Sequence, residues 1–151
     1  MKRFAFRLER LRELRERAAR ARAAELGHAM RDEQARQSAF DHARNELERA
    51  GTQAALLPAG GPVTAGLLQN LERARDAAEG RVDEAAESLR TANERVGEER
   101  DRYGEARRDL RVVEKLKEKR FDAWRQQGAR EERKESDEAA RHRRTMKEER
   151  S

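Results

Sequence analysis

His28, His42 and His142 are the only histidines of the chain, and none stands within one helical turn of another. A metal-binding pair on a helix needs ligands three or four residues apart, so no metal site is expected from them. Each reads as a solvated helical side chain. There is no cysteine, which removes thiol chemistry, disulfides and cysteine-based zinc sites together. The stretch GTQAALLPAGGPVTAG, from Gly51 to Gly66, is rich in glycine but lacks the GxxxxGK[ST] spacing that would cradle a phosphate. Carboxylates are abundant, yet nothing in the pattern would bury a pair and drive their pKa values apart. The expectation is a protein that is not an enzyme, with no catalytic, cofactor-binding or metal-ligating residues and no cofactor. What remains is the chemistry of contact. Phe4, Phe6, Leu8 and Leu11 stand near the start, and Leu116, Lys117, Lys119, Arg120, Phe121 and Trp124 stand in the last third. Among them Leu116 and the aromatic Phe121 and Trp124, near the junction with Phe4, suit the anchoring of a protein partner.

The elements that must carry these residues are helices. Ala, Glu, Lys, Leu and Arg fill 98 of the 151 positions, well past the level at which composition points to a long helix or coiled coil. There is no Ile, and only five Val and four Thr, so little is available for a sheet. Charged residues reach 44% and apolar residues only 35%, too few to fill a round core and enough for a narrow seam. The opening MKRFAFRLERLRELRER carries charges every few residues, unlike a secretory signal, and no stretch approaches the length of a membrane span. A soluble cytoplasmic protein without direct membrane insertion is expected.

Both prolines, Pro58 and Pro62, fall between Gly51 and Gly66. Proline inside a helix removes a hydrogen bond and clashes with the preceding turn. The pattern therefore predicts a helix over 3–50, a loop over 51–65 and a helix over 66–146, with Thr64 able to cap the second. From Leu68, alternating steps of three and four reach Leu71, Arg75, Ala78, Val82, Ala85, Leu89, Ala92 and Val96. They continue through Glu99, Tyr103, Ala106, Leu110, Val113, Lys117 and Arg120 to Trp124. A 3.5-residue repeat keeps one stripe on one side and demands a partner for it. The first helix is less regular: Phe4, Leu8, Leu11, Leu14, Ala18, Ala19 and Ala23 define one stripe. Leu26, Met30, Phe40 and Leu47 follow on another, displaced by about one residue.

A loop of this length lets the two helices fold back as a single antiparallel coiled-coil hairpin spanning 1–151. Two separate parallel dimerisation segments are the other arrangement. At ~1.5 Å per residue the first helix measures about 70 Å and the second about 120 Å. Placing Ala50 near Leu67 puts the start of the first helix near residue 114, so the remainder of the second would overhang. Leu116, Phe121 and Trp124 then either pack on Phe4 and Leu8 or serve as partner anchors. Residues 1–22 carry a net +6, residues 67–110 a net −3 and residues 111–151 a net +4. In a hairpin the two basic segments meet at one end, where an acidic or charge-complementary partner would dock. Nucleic acid is not expected, because acids interrupt every basic stretch and the six aromatics form no stacking platform.

Two segments resemble the flagellar export protein family FliJ. FAFRLERLRELRER, from Phe4 to Arg17, is similar to the family's F-x-L-x-x-L-L-x-[LV]-R start, with Phe6, Leu8, Leu11, Leu14 and Arg15 in register and Arg12 in place of a second Leu. RDLRVVEKLKEKRFDAW, from Arg108 to Trp124, resembles its K-x-x-E-K-L-[KR]-E-[KR]-[KR] run, with Arg111 for the leading Lys. The resemblance implies an all-α fold, a long antiparallel two-helix coiled-coil hairpin with an overhanging C-terminal helix, similar to the stalk of rotary ATPases. It implies a chaperone-like component of flagellar type III protein export, serving motility. Its partners would be the export ATPase hexamer, the export-gate membrane protein and export chaperones, at the cytoplasmic face of the inner membrane. Phe6, Leu8, Leu11, Leu14 and Arg15, with Glu114, Leu116, Lys117, Lys119 and Arg120, would belong to the end that meets the ATPase ring. The stalk of a virulence type III secretion system, a generic structural coiled coil and a basic nucleic-acid binder are the alternatives.

Overall fold

The computed structural model describes residues 3–56 and 62–148. Among them there are two helices, α1 (Glu9–Ala55) and α2 (Ala65–Glu148), and no strand. The fold is all-α, built from two long helices packed together.

The helix ends depart from the expected ones for local reasons. Residues 3–8 are not helical, although helix was expected from residue 3. Arg3 and Arg7 would place positive charge at the positive end of the helix dipole, whereas Glu9 in the first turn complements it. The chain enters through a turn in which the Glu9 amide donates to the Phe6 carbonyl at 3.1 Å and the Arg12 amide to Leu8 at 3.0 Å. At the other end α1 runs through Gly51 to Ala55. One helical glycine costs only about 1 kcal/mol, and the residues after it propagate the helix. Thr52 returns its hydroxyl to the Glu48 carbonyl at 3.0 Å, and the Leu56 amide bonds Thr52 at 3.1 Å. Residues 51–55 of the expected loop 51–65 thus belong to α1; Pro58 lies outside the described residues. Thr64 caps α2 as the sequence suggested: its hydroxyl accepts from the Leu67 amide at 3.2 Å.

The chain divides into two compact units, Arg20–Glu105 and the pair of segments Met1–Ala19 and Ala106–Ser151. Within the first, α1 and α2 run antiparallel. Arg81 of α2 reaches Glu46 of α1 at 3.3 Å, and further along α2, Thr91, Ala92 and Arg95 share a groove with Asp32 and Arg36. The buried side chains are Ala29, Ala43, Ala78, Ala92 and Val96, with Glu99 among them. Such small residues let helix backbones approach closely while burying little apolar area each.

In the second unit Ala19, Leu110 and Val113 are buried. Among the described residues, ion pairs from Arg15 to Asp109 and from Lys117 to Glu9, each at 2.8 Å, cross between the antiparallel segments. The start of the chain therefore lies beside residues 117–124, further along α2 than the expected residue 114. From Ala129 to Met146 every side chain is exposed. This helical stretch is supported by local bonds such as Gln127 to Glu131 at 3.0 Å and Thr145 to the carbonyls of Arg141 and His142.

The α2 heptad is present from Leu71 onward, each position to Trp124 being buried or half-buried, Arg75 and Arg120 excepted; Leu68, where the reading began, is 47% exposed. The α1 reading needs correction. Leu14 is 62% exposed, Met30 is exposed, and Ala18 and Ala23 also face outward. The residues turned inward follow one unbroken seven-residue repeat, Arg12, Ala19, Leu26, Glu33, Phe40 and Leu47. A second repeat interleaves with it, Arg22, Ala29, Arg36, Ala43 and Ala50, of which only Arg36 is exposed. There is no displaced stripe. The repeat is hidden because charged residues occupy several of its positions, their long aliphatic stems lying along the seam.

Candidate functional site

All ten residues that the sequence marked for partner contact fall in the unit formed by Met1–Ala19 and Ala106–Ser151. Three of them form an aromatic cluster. The Phe4 ring meets Phe121 edge-on at 5.3 Å between centroids and Trp124 at 5.8 Å, while Phe121 and Trp124 stack at 5.6 Å. Edge-to-face and offset-stacked arrangements are the favourable ones for ring quadrupoles. Residues 3–8 leave the helical path before α1, and this extended entry carries Phe4 to α2. Phe121 and Trp124 are three apart on α2 and so share a face. The cluster is only partly covered: Phe121 is 42% exposed, and Phe4 and Trp124 are half-buried.

Beside the rings lies an open groove lined by Phe4, Arg12, Glu114, Lys117, Glu118 and Phe121. Its floor is ionic. Glu9 accepts from Lys117 at 2.8 Å and from Arg12 at 2.7 Å, and Arg12 also donates to Glu16 at 3.1 Å. The hydrogen bond from Lys117, then that from Arg12, holds the Glu9 carboxyl below the usual carboxylate range. Glu9 in turn raises the Arg12 guanidinium above its ordinary value. Lys117 is therefore engaged within the fold. Lys119 and Arg120 are exposed and have no ion pair among the described residues.

The remaining marked residues divide by exposure. Phe6 and Leu116 are half-buried, and Leu8 and Leu11 stand at 37% and 36% exposure. Leu14, which the family resemblance assigns to the ATPase-facing end, and Val112, which the sequence did not mark, are the more exposed apolar groups of this unit. Their outward direction depends on which α1 stripe packs inward, and apolar spacing alone assigned Leu14 to the seam. Among the described residues there is no group of His, Asp or Glu arranged to hold a metal ion, and no helix is long and apolar enough to cross a membrane. The grooves along the helix pair are open and shared by charged side chains.

Two long helices, a charge-rich exterior and an incompletely covered aromatic cluster define an all-helical protein of the coiled-coil kind. The family described as the flagellar FliJ protein matches residues 4–149, nearly the whole length, and the chain belongs to that family. It is thereby a component of the flagellar export apparatus, from a family of structural, chaperone-like export proteins not known as enzymes. No curated protein and no solved structure matches the chain.

Proposed function

We propose that the protein is a stalk-like antiparallel coiled coil, a single hairpin, that couples the export ATPase ring to the export gate of the flagellar type III apparatus. In this reading it works at the cytoplasmic face of the inner membrane, bound peripherally through its partners, and export chaperones are further ligands. The unit containing both ends of the chain docks on the ATPase hexamer, and the C-terminal part of α2 overhangs the hairpin to enter the ring. One observation carries the reading: all ten marked residues share one unit, where a half-covered aromatic cluster stands with the exposed cations Lys119 and Arg120. Partly covered aromatics with adjacent cations are the usual energetic anchors of protein interfaces. The family's flagellar description favours this system over a virulence secretion stalk.

The test is a charge reversal that leaves the fold intact. Lys117→Glu is unsuitable, because Lys117 holds Glu9. The double variant Lys119→Glu/Arg120→Glu alters exposed groups alone. Binding to the purified export ATPase encoded with it should fall by about tenfold or more, equivalent to about 1.4 kcal/mol. The circular dichroism spectrum should stay helical. Unchanged binding would remove the docking role from this surface.

A further inference from the structure

Leu11, Leu14 and Ala18 follow one another at steps of three and four, so they share one strip of α1, with Leu8 at its edge. The hairpin leaves the Leu14–Ala18 part of this strip open and covers Leu11, at 36% exposure, in part. The inward stripe in this segment is Arg12, Glu16 and Ala19, and it is closed by the Glu9–Arg12–Glu16 ion pairs. Leu14 is 62% exposed, and Ala18 is exposed beside it. Burying a leucine fully is worth about 1.5–3 kcal/mol, and a chain with only 35% apolar residues has placed several on an outer face.

One side of the strip is cationic. Arg10 and Arg17, four before and three after Leu14, run along it, and Arg7 stands just before α1. All three are exposed and have no ion pair among the described residues. The nearby acids offset them little, since Glu16 is turned towards Arg12 and only Glu13 remains outward.

We infer that this strip binds an amphipathic helix of a partner protein whose apolar face is bordered by Asp and Glu. The inference rests on reading this unit as the partner-binding end, and adds which face is used and what chemistry it accepts. Charge decides the occupant. A second copy would bring the same arginines against these, and like charges across an interface are repelled. A strip one residue wide, with three-and-four spacing, is what a third helix packs against in knobs-into-holes fashion. An anionic lipid surface would favour a broad apolar face and a polar border free of Glu13.

The experiment uses the full-length protein and a labelled synthetic peptide of about 20 residues, long enough for stable helix formation. The peptide carries leucine at its a and d positions and glutamate on both borders, and binding is followed by fluorescence anisotropy. Saturable binding is expected, weakened about tenfold or more by Leu11→Ser/Leu14→Ser and equally by Arg10→Glu/Arg17→Glu. Raising the salt should weaken it further. Circular dichroism of both variants should remain helical, since neither substitution touches the inward stripe. Four results would each overturn the proposal: no saturable binding, equal binding of a control peptide with lysine in place of the border glutamates, binding that ignores the leucines, or Leu14-dependent self-association or phosphatidylserine-vesicle binding in place of peptide binding. Failure here alongside an intact ATPase interaction sinks this inference and spares the stalk reading. Peptide binding without any ATPase interaction does the reverse.

Discussion

Replacing Glu99 with leucine should make the protein more stable, although it removes an ion pair. Glu99 occupies a heptad position between Val96 and Tyr103 and is 7% exposed. Its Oε1 accepts from Arg102 at 2.7 Å, while Oε2 is buried and has no hydrogen-bond partner among the described residues. A buried polar group left without a partner costs about 1–3 kcal/mol. The compensating pair is weak, because Arg102 is half in water, and such pairs contribute about 0–1 kcal/mol. The balance favours leucine by about 1–2 kcal/mol before its own apolar burial is counted. In a chain of this length that corresponds to a rise of about 2–8 °C in Tm. Thermal unfolding followed at the helical circular-dichroism band would read it. Glu99→Gln separates charge from shape, and Arg102→Ala, which strands both oxygens, should lower the Tm. The reasoning fails if Glu99→Leu melts at or below the parent temperature while Arg102→Ala is neutral.

Phe4→Ala should destabilise the terminal unit by about 1–3 kcal/mol through loss of two ring contacts. Because Trp124 is the only tryptophan, its emission should shift to the red, and unchanged emission would mean that Phe4 does not cover it. Glu9 holds its proton less readily in the folded protein, chiefly through Lys117. Its stabilising share is therefore complete above the ordinary carboxylate range and is lost as the pH falls through the lowered folded value. A carboxyl-carbon NMR titration should show the Glu9 midpoint move upward in Lys117→Met; an unmoved midpoint would contradict the pair. Gly80 and Gly97 sit within α2 with nothing within 4 Å of an added Cβ. Gly80→Ala and Gly97→Ala should each stabilise by about 0.5–1 kcal/mol, visible as additive increments in Tm, and a decrease would show an unseen close contact.

The α2 seam is legible in the sequence because its inward positions are mostly alanine, valine and leucine in unbroken three-and-four steps. The α1 seam is not, because Arg12, Arg22 and Glu33 stand at inward positions while Leu14 and Met30 stand outside. Apolar spacing follows the leucines, whereas packing follows the register imposed by α2. Arg12, the departure from the family's leucine pattern, shows the cause directly: it lies inward and is neutralised by Glu9 and Glu16. The aromatic cluster was legible as residue types near both ends. That Lys117 is engaged, while Lys119 and Arg120 are not, depends on the pairing of Lys117 with Glu9. No one-dimensional pattern contains that pairing.

The unbroken sevenfold repeat in Arg20–Glu105 has a consequence for how such a protein can change length. Excising residues 29–35 together with residues 92–98 would remove one heptad from each helix and return every remaining side chain to its former face. The helix pair would shorten by about 10 Å at ~1.5 Å per residue. Excising five or six residues instead would rotate everything beyond the cut out of the seam. Alanine-lined heptads are interchangeable units, so the distance this segment spans can be reset in whole steps while the contacts within each step are conserved.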